Sequence, residues 1–275
     1  MLLGVLMNKG LFRFVFGCSL ALVGAIQASA ALYTLTDVGT LAKVDTSSTA
    51  GLFNWTVGGT NQVFQNTYLW RIGDSSSADF IQNLTEISSG LTGTRLLDVS
   101  YRDAGSTFRI DVSYLLTGGA TSFDIAEVTH VTNTSNAAMN FRLFQFNDFD
   151  LNGTISNDTV TRLNSSQIKQ SDGAVSLNIV SQGATPIPNF SELGFQFSVL
   201  TDATTSGNNL DTLAGNGIGQ NFTGDAGYAF QWSVTLNPGE SFTISTDKVA
   251  AVPEPGTLIA LGAGALGILR RRRKA

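Results

Sequence analysis

The chain has few of the residues on which several common kinds of protein chemistry depend. Among its 275 residues it has one cysteine, Cys18, and one histidine, His130. A single cysteine excludes an internal disulfide bond and any zinc site built from several cysteines. One histidine without a Gly-x-Ser-x-Gly sequence gives no sign of a serine-hydrolase triad. We therefore interpret His130 as a strand residue that is hydrogen-bonded locally.

Charge is also scarce, at 13% of residues, and it is unevenly placed. Residues 31–252 hold nine Lys and Arg against twenty Asp and Glu, so their net charge is 9 − 20 = −11, whereas the whole chain carries −5. A body this acidic, with no basic stripe, is not expected to bind nucleic acid through its phosphates.

The hydrophobic pattern of the body has a period of two, which is typical of strands with one buried face. Apolar side chains alternate with polar ones over residues 97–102 and again over 108–114, with Asp103-Ala104-Gly105 between them, and this predicts a hairpin. One segment, Asp79 to Ser88, has helical spacing. Trp55 and Trp70 lie among alternating apolar residues, which favours core positions. The predicted fold class is all-β, an antiparallel β-sandwich over residues 31–250.

The N-terminus has the order of a secretory leader. Lys9 and Arg13 precede an apolar run, and Ala28-Ser29-Ala30 follows it, which is the basic, apolar and small-residue sequence of a signal peptide. We expect residues 1–30 to form a signal helix that is cleaved between Ala30 and Ala31.

The C-terminus carries a second targeting pattern. Pro253-Glu254-Pro255 should be extended, because each proline fixes φ and disfavours helix at the residue before it. Residues 258–269 are uncharged, and a basic cluster follows: Arg270, Arg271, Arg272 and Arg273. Basic residues beside an apolar segment stay on the cytoplasmic side. A short transmembrane helix across the inner membrane, with the body outside, is predicted.

This tail resembles the sorting signal of PEP-CTERM proteins, in which a Pro-Glu-Pro motif, a short transmembrane helix and an arginine cluster follow one another. The resemblance assigns residues 251–275 to a sorting and anchor segment. It implies processing by an exosortase and export to the cell surface or extracellular matrix of a Gram-negative bacterium. An unprocessed C-terminal anchor is the alternative.

One acidic segment has the residue types of a calcium loop. Asp148, Asp150, Asn152, Gly153 and Ile155 fall at the first, third, fifth, sixth and eighth places of an EF-hand-type pattern,. The ligands would be the side chains of Asp148, Asp150 and Asn152 and the carbonyl of Thr154. The last place holds Thr159 instead of Glu, and no helices flank the loop, so an acidic Asn-Gly turn between strands is the favoured interpretation and the Ca²⁺ site is the alternative. No other cofactor is predicted.

Taken together, these patterns favour an exported, exosortase-processed protein with a structural or adhesive role in the biofilm matrix and no enzymatic activity. The alternatives are a module that binds extracellular polysaccharide or adheres through Ca²⁺ and, less favoured, a secreted polysaccharide-active enzyme. No catalytic residue is assigned, since none of the body's four Glu lies in a recognisable motif.

Overall fold

The computed structural model describes residues 31–251, except 173–174, 184–185, 206, 208 and 211–218, and gives the backbone alone for 175–183. The signal helix predicted for residues 1–30 and the membrane helix predicted near the C-terminus lie outside these residues. Within the described ranges, no helix is both long and apolar enough to cross a membrane.

The described residues form two antiparallel sheets, which confirms the all-β prediction. In the first, sheet A, strands follow the order β1-β2-β3-β5-β11-β17-β15, with β4 beside β3 and β6 beside β5. Its only parallel contact is a short one between β3 and β5. The bounds in sheet A are β1 Leu32–Asp37, β2 Thr40–Asp45, β3 Gly51–Val57, β4 Thr60–Asn61, β5 Gln65–Ile72, β6 Asp79–Phe80, β11 Met139–Asp148, β15 Phe190–Phe195 and β17 Ala226–Leu236.

Sheet B has the order β16-β12-β13-β14-β18-β10-β9-β8-β7. Strands β8 and β9 pair from Leu96 with Leu115 to Arg102 with Arg109, which confirms the predicted hairpin. The bounds in sheet B are β7 Thr85–Thr92, β8 Leu96–Arg102, β9 Phe108–Thr117, β10 Ser122–Asn133, β12 Asp158–Asn164, β13 Gln167–Asp172, β14 Val175–Gly183, β16 Asn221–Gly224 and β18 Ser241–Ala251.

The short helix suggested by the spacing of residues 79–88 is not formed. Residues Asp79 and Phe80 pair with β5, Ile81–Asn83 form a single 3₁₀ turn, and β7 begins at Thr85. Ile81 is fully buried in the main core. A turn that packs one apolar residue between two strands produces the same short spacing as the first turn of a helix.

The main core lies between the two sheets, where one face of each strand is buried. Trp55 is fully buried there, as predicted, and its indole Nε1 donates to the Thr40 hydroxyl at 3.1 Å. Trp70 is partly buried and packs against this core, with its ring centroid 4.6 Å from that of Phe108. Burying rings of this size contributes a large apolar area at little conformational cost.

The outer face of sheet A has a second, smaller core. In β11 the residues alternate, so that Phe141 and Leu143 face sheet B while Phe144 and Phe146 face outward. The chain's one described α-helix, α1 (Gln196–Thr204), covers the outward rings through Val199 and Ala203. The helix therefore closes this second core from the outside.

A group of polar side chains crosses the main core and joins the sheets. Lys248 Nζ lies 2.8 Å from Glu127 Oε1, and both side chains are fully buried in sheet B. From sheet A, the Tyr68 hydroxyl donates to Glu127 Oε2 at 2.8 Å and Gln145 Nε2 donates to the same oxygen at 2.6 Å. Buried charges persist where they are paired and hydrogen-bonded, so this group fixes how the two sheets face each other.

Candidate functional site

The candidate site lies on sheet A where β11 ends. Asp148 is the last residue of β11, and its partners across the sheet are Gln65 in β5 and Gly227 in β17. Directly paired residues of antiparallel strands place their side chains on the same face. Gln65 and Asp148 are therefore neighbours on the outer face, and Gly227 leaves the other flank of Asp148 without a side chain.

Three carboxylates meet at this strand end. One carboxylate oxygen each from Asp148, Asp150 and Asp225 lies within 4.8 Å of the others. Asp150 follows β11 directly, and Asp225 is the single residue between β16 and β17. Since Gly227 pairs with Asp148, the start of β17 brings Asp225 to the same place.

Burial gives this cluster unusual electrostatics. Asp148 is only 2% exposed, and burial, together with the nearby charges of Asp150, Asp225 and Asp158, raises its pKa to about 8. Burial and the charge of Asp225 raise the pKa of Asp150 to about 6. None of the five ion pairs among the described residues involves these three groups. The ionised cluster therefore has no basic partner in the described part of the chain.

The side chains of Asn152 and Thr154, the other two residues of the predicted calcium loop, are hydrogen-bonded to neighbouring groups. The Asn152 side chain donates to Asp172 Oδ2 at 2.9 Å, and the Thr154 hydroxyl donates to the Leu151 carbonyl at 3.1 Å and to Asp172 Oδ2 at 3.4 Å. Asn152 adopts a left-handed conformation with φ 61° inside a short 3₁₀ turn between β11 and β12. The segment is thus a turn between strands, held against sheet B by Asp172, and the structure gathers Asp148 and Asp150 with Asp225 instead.

An open pocket lies at the start of β5, the strand that pairs with the end of β11. It has a volume of about 480 Å³, and its lining comprises Asp45, Ser48, Thr49, Ala50, Phe53, Phe64 and Gln65. Phe64 is 59% exposed, and its backbone N–H donates to the Asp148 carbonyl at 3.0 Å. None of the three clustered carboxylates lines the pocket, but its lining residue Gln65 is paired with Asp148 across the sheet. The pocket combines two aromatic rings with polar groups.

The remaining predicted residues fall outside this site. His130 is a partly exposed residue of β10 whose Nδ1 lies 2.8 Å from the Thr243 hydroxyl, in keeping with local hydrogen bonding. Ala31 is described at the start of β1, but Ala30, the Pro-Glu-Pro motif and the arginine cluster lie outside the described residues.

Comparison with known families identifies the tail. Residues 251–274 match the PEP-CTERM protein-sorting motif. The protein is therefore exported, processed by an exosortase, and anchored transiently at the membrane. The motif covers the tail alone, and no curated protein matches the chain in sequence.

Comparison with solved structures identifies the fold of the body. The chain is similar to the GalM/aldose epimerase homologue from C. elegans, with a TM-score of 0.56 and 8% identity over 82% of this chain and 100% of that one. It is also similar to a galactose mutarotase-like protein from Lactobacillus casei, with a TM-score of 0.55 and 11% identity over 80% and 100%. A bacterial glucoamylase, solved with acarbose, has a TM-score of 0.55 and 7% identity over 87% of this chain. The chain spans only 36% of the glucoamylase.

These matches correct two predictions made from the sequence. The predictions of a structural or adhesive body and of no enzymatic activity are both wrong, because the body has the fold of proteins named as aldose epimerases and mutarotase-like proteins. The period-two pattern shows only that each strand has one buried face. The order of strands, which separates this fold from other sandwiches, depends on pairings between residues far apart in the chain.

Proposed function

We propose that this protein is an exported sugar-processing enzyme, and that its sugar binds in the pocket of Phe53 and Phe64 beside the carboxylates of Asp148, Asp150 and Asp225. In this proposal the leader is removed after Ala30 and the tail is removed at the sorting motif, so that residues 31–250 act at the cell surface or in the extracellular matrix. Export places the body where polysaccharides and their breakdown products are found.

The observation that carries the proposal is that the pocket residues Phe64 and Gln65 are bonded to or paired with Asp148 at one end of sheet A. Binding sites for small molecules are concave and mostly apolar, with a few polar groups that fix orientation. Phe53 and Phe64 supply apolar faces for the C–H side of a sugar ring. Gln65 lines the pocket and is paired with Asp148, so in this proposal the bound ring lies near the strand end that carries the carboxylates.

Carboxylates are suited to sugar chemistry in two ways. They accept hydrogen bonds from hydroxyl groups, and they are the groups with which many proteins move protons at the anomeric centre. Asp150 and Asp225 are half-buried, so they are open to a ligand, whereas Asp148 lies beneath them. The likeness to aldose epimerase and mutarotase-like folds supports a sugar as the ligand. The residues proposed to bind it are chosen from the geometry of this protein and not from those relatives.

The test follows two reactions with the protein purified in its processed form from its host. The conversion of freshly dissolved α-glucose, or α-galactose, into its own β anomer is followed by polarimetry. The appearance of new reducing ends is followed with soluble polysaccharides. We expect one of these rates to rise above the uncatalysed rate and to fall at least tenfold in Phe64→Ala and in Asp150→Asn.

The controls are matched by exposure. Phe197 is 59% exposed, the same fraction as Phe64, but it lies on α1, so Phe197→Ala should keep the activity. Asp202→Asn, also on α1, is the control for Asp150→Asn. Absence of both reactions would refute the proposal, and so would equal activity in Phe64→Ala and Phe197→Ala.

A further inference from the structure

The three carboxylates at the end of β11 have no cationic side chain paired with them among the described residues. Asp148 Oδ1 is buried and accepts no hydrogen bond from any described residue. It belongs to the carboxylate that lies against Asp150 and Asp225. A buried charged oxygen without a donor or a cation is costly, and the described ion pairs offer it none.

A neighbouring carboxylate also has a buried oxygen without a hydrogen-bond partner in the described part of the chain. Asp158, in β12, is 1% exposed, and its Oδ1 also has no partner among the described residues. Its other oxygen accepts a long hydrogen bond from the Leu151 N–H, at 3.3 Å, and the Gln170 side chain is a second hydrogen-bonding neighbour of the carboxyl group. Each of these two buried carboxylates therefore has one oxygen without a partner among the described residues, and Leu151 ties Asp158 to the turn that follows Asp150.

We propose that Asp148, Asp150 and Asp225 together bind one divalent cation, with Ca²⁺ as the preferred ion. Ca²⁺ takes oxygen ligands at about 2.3–2.6 Å, so two oxygens on the same ion are separated by at most about 5 Å. The three oxygens satisfy this limit as they stand, since all lie within 4.8 Å of one another. One ion would satisfy the buried Asp148 oxygen and offset the charge of the other two.

The ligand set differs from the one that the sequence suggests. The side chains of Asn152 and Thr154 donate to Asp172, and the proposed set takes Asp225, from just before β17, as its third carboxylate. Because three carboxylates leave several of the six to eight Ca²⁺ positions open, the remaining positions face Asp150 and Asp225, the half-buried side of the cluster. Water or a sugar hydroxyl can occupy them.

Helix α1 packs closely against β17 beside the site because residue 227 is a glycine. A Cβ atom at residue 227 would lie 2.9 Å from the Gln196 Cα atom and 3.3 Å from the Phe146 ring. The absence of a side chain at Gly227 thus lets α1 approach β17 beside Asp148. The backbone N–H of Gln196 donates to the Asp225 carbonyl at 3.1 Å, which holds the loop residue in place before any ion binds.

The experiment is a calorimetric titration of Ca²⁺ into the processed protein after treatment with a chelator. We expect one saturable site per chain and a rise in melting temperature with added Ca²⁺. Asp225→Asn should weaken binding at least tenfold, and Asp202→Asn should bind Ca²⁺ as the wild type does. Mg²⁺, which requires shorter bonds and a stricter geometry, should bind more weakly.

Two outcomes would overturn the inference. One is the absence of binding heat together with an unchanged melting temperature, which would mean that protons alone neutralise the cluster. The other is wild-type affinity in Asp225→Asn, which would place any bound ion elsewhere. Asp225 is a connecting residue between two strands, so its replacement tests the ligand with little risk to folding, and near-ultraviolet circular dichroism checks that the fold is retained.

The cation site does not rest on the proposed sugar chemistry, and the two can fail separately. Binding of Ca²⁺ without turnover of any sugar would keep the metal site and refute the proposed activity. Turnover that persists in chelator, with no heat of Ca²⁺ binding, would keep the proposed activity and refute the metal site.

Discussion

The metal-free protein should lose stability as the pH rises from 5 to 8. The cause is Asp148, whose pKa is raised from 3.8 to about 8 by burial and by three neighbouring carboxylates. A carboxyl group with a higher pKa in the folded state binds its proton more tightly when folded, so it contributes stability at low pH. That contribution is complete below about pH 4 and disappears as the pH rises through 8.

The size of the effect follows from the shift. Each pH unit between the two pKa values changes the free energy of unfolding by about 1.4 kcal/mol for one group. Between pH 5 and 7 the loss from Asp148 is therefore at most about 3 kcal/mol. A domain of this size changes its melting temperature by about 2–4 °C per kcal/mol. We expect the melting temperature to fall by about 5–10 °C over this interval.

The assay is a set of thermal melts at fixed ionic strength in chelator, from pH 5 to pH 8. Asp148→Asn, which keeps the shape but cannot ionise, should make the profile less steep and be more stable than the wild type at pH 8. The remaining slope comes from Asp150 and Asp158, whose pKa values burial raises to about 6 and about 7. Asp202→Asn should follow the wild type. Saturating Ca²⁺ should raise the wild-type melting temperature most at pH 8, where the cluster is ionised. A metal-free profile that is flat or rises with pH, or an Asp148→Asn profile that copies the wild type, would refute the reasoning.

Three further predictions concern the core, the site and the tail. Glu127→Gln leaves Lys248 buried without its anion and should lower the free energy of unfolding by about 3–5 kcal/mol. In urea denaturation, adding Lys248→Met should recover most of that loss. A free energy of unfolding for Glu127→Gln within about 1 kcal/mol of the wild type would contradict this. Gly227→Ala forces α1 away from β17 and should cost about 1–3 kcal/mol and weaken Ca²⁺ binding, whereas Gly90→Ala, where an added Cβ meets nothing within 4 Å, should be neutral in both measurements. Alanine at all of residues 253–255 should leave the tail uncut when intact mass is measured in the native host, and a processed mass would refute the role of the motif.

The period-two hydrophobic pattern predicted the strands well where one face of the strand is exposed to solvent. The hairpin of β8 and β9 is the clearest case, because its alternating residues report burial directly. The same reasoning failed at residues 79–88, where two short pairings and a 3₁₀ turn share the spacing of a helix. Sequence periodicity reports which residues are buried but not which strand buries them.

The candidate site shows the same division. Asp148 and Asp150 stood out in the sequence because they are close together and followed by Asn-Gly. Asp225 did not, since it is a lone acidic residue between Gly224 and Ala226 and only the pairing of β11 with β17 brings it near. Glu127 and Lys248 were missed for the same reason, as the register between β10 and β18 alone makes them neighbours.

The sequence by itself determined where the protein goes and the class of its fold. Its tail is a linear signal that is recognised by residue order, and its alternating pattern needs only neighbours along the chain. The tertiary structure alone decided which of many possible sandwiches forms, which carboxylates meet, and where a pocket opens beside them. These depend on contacts between distant residues, whose partners are chosen by the packing of the whole core and leave no mark in any short stretch of sequence.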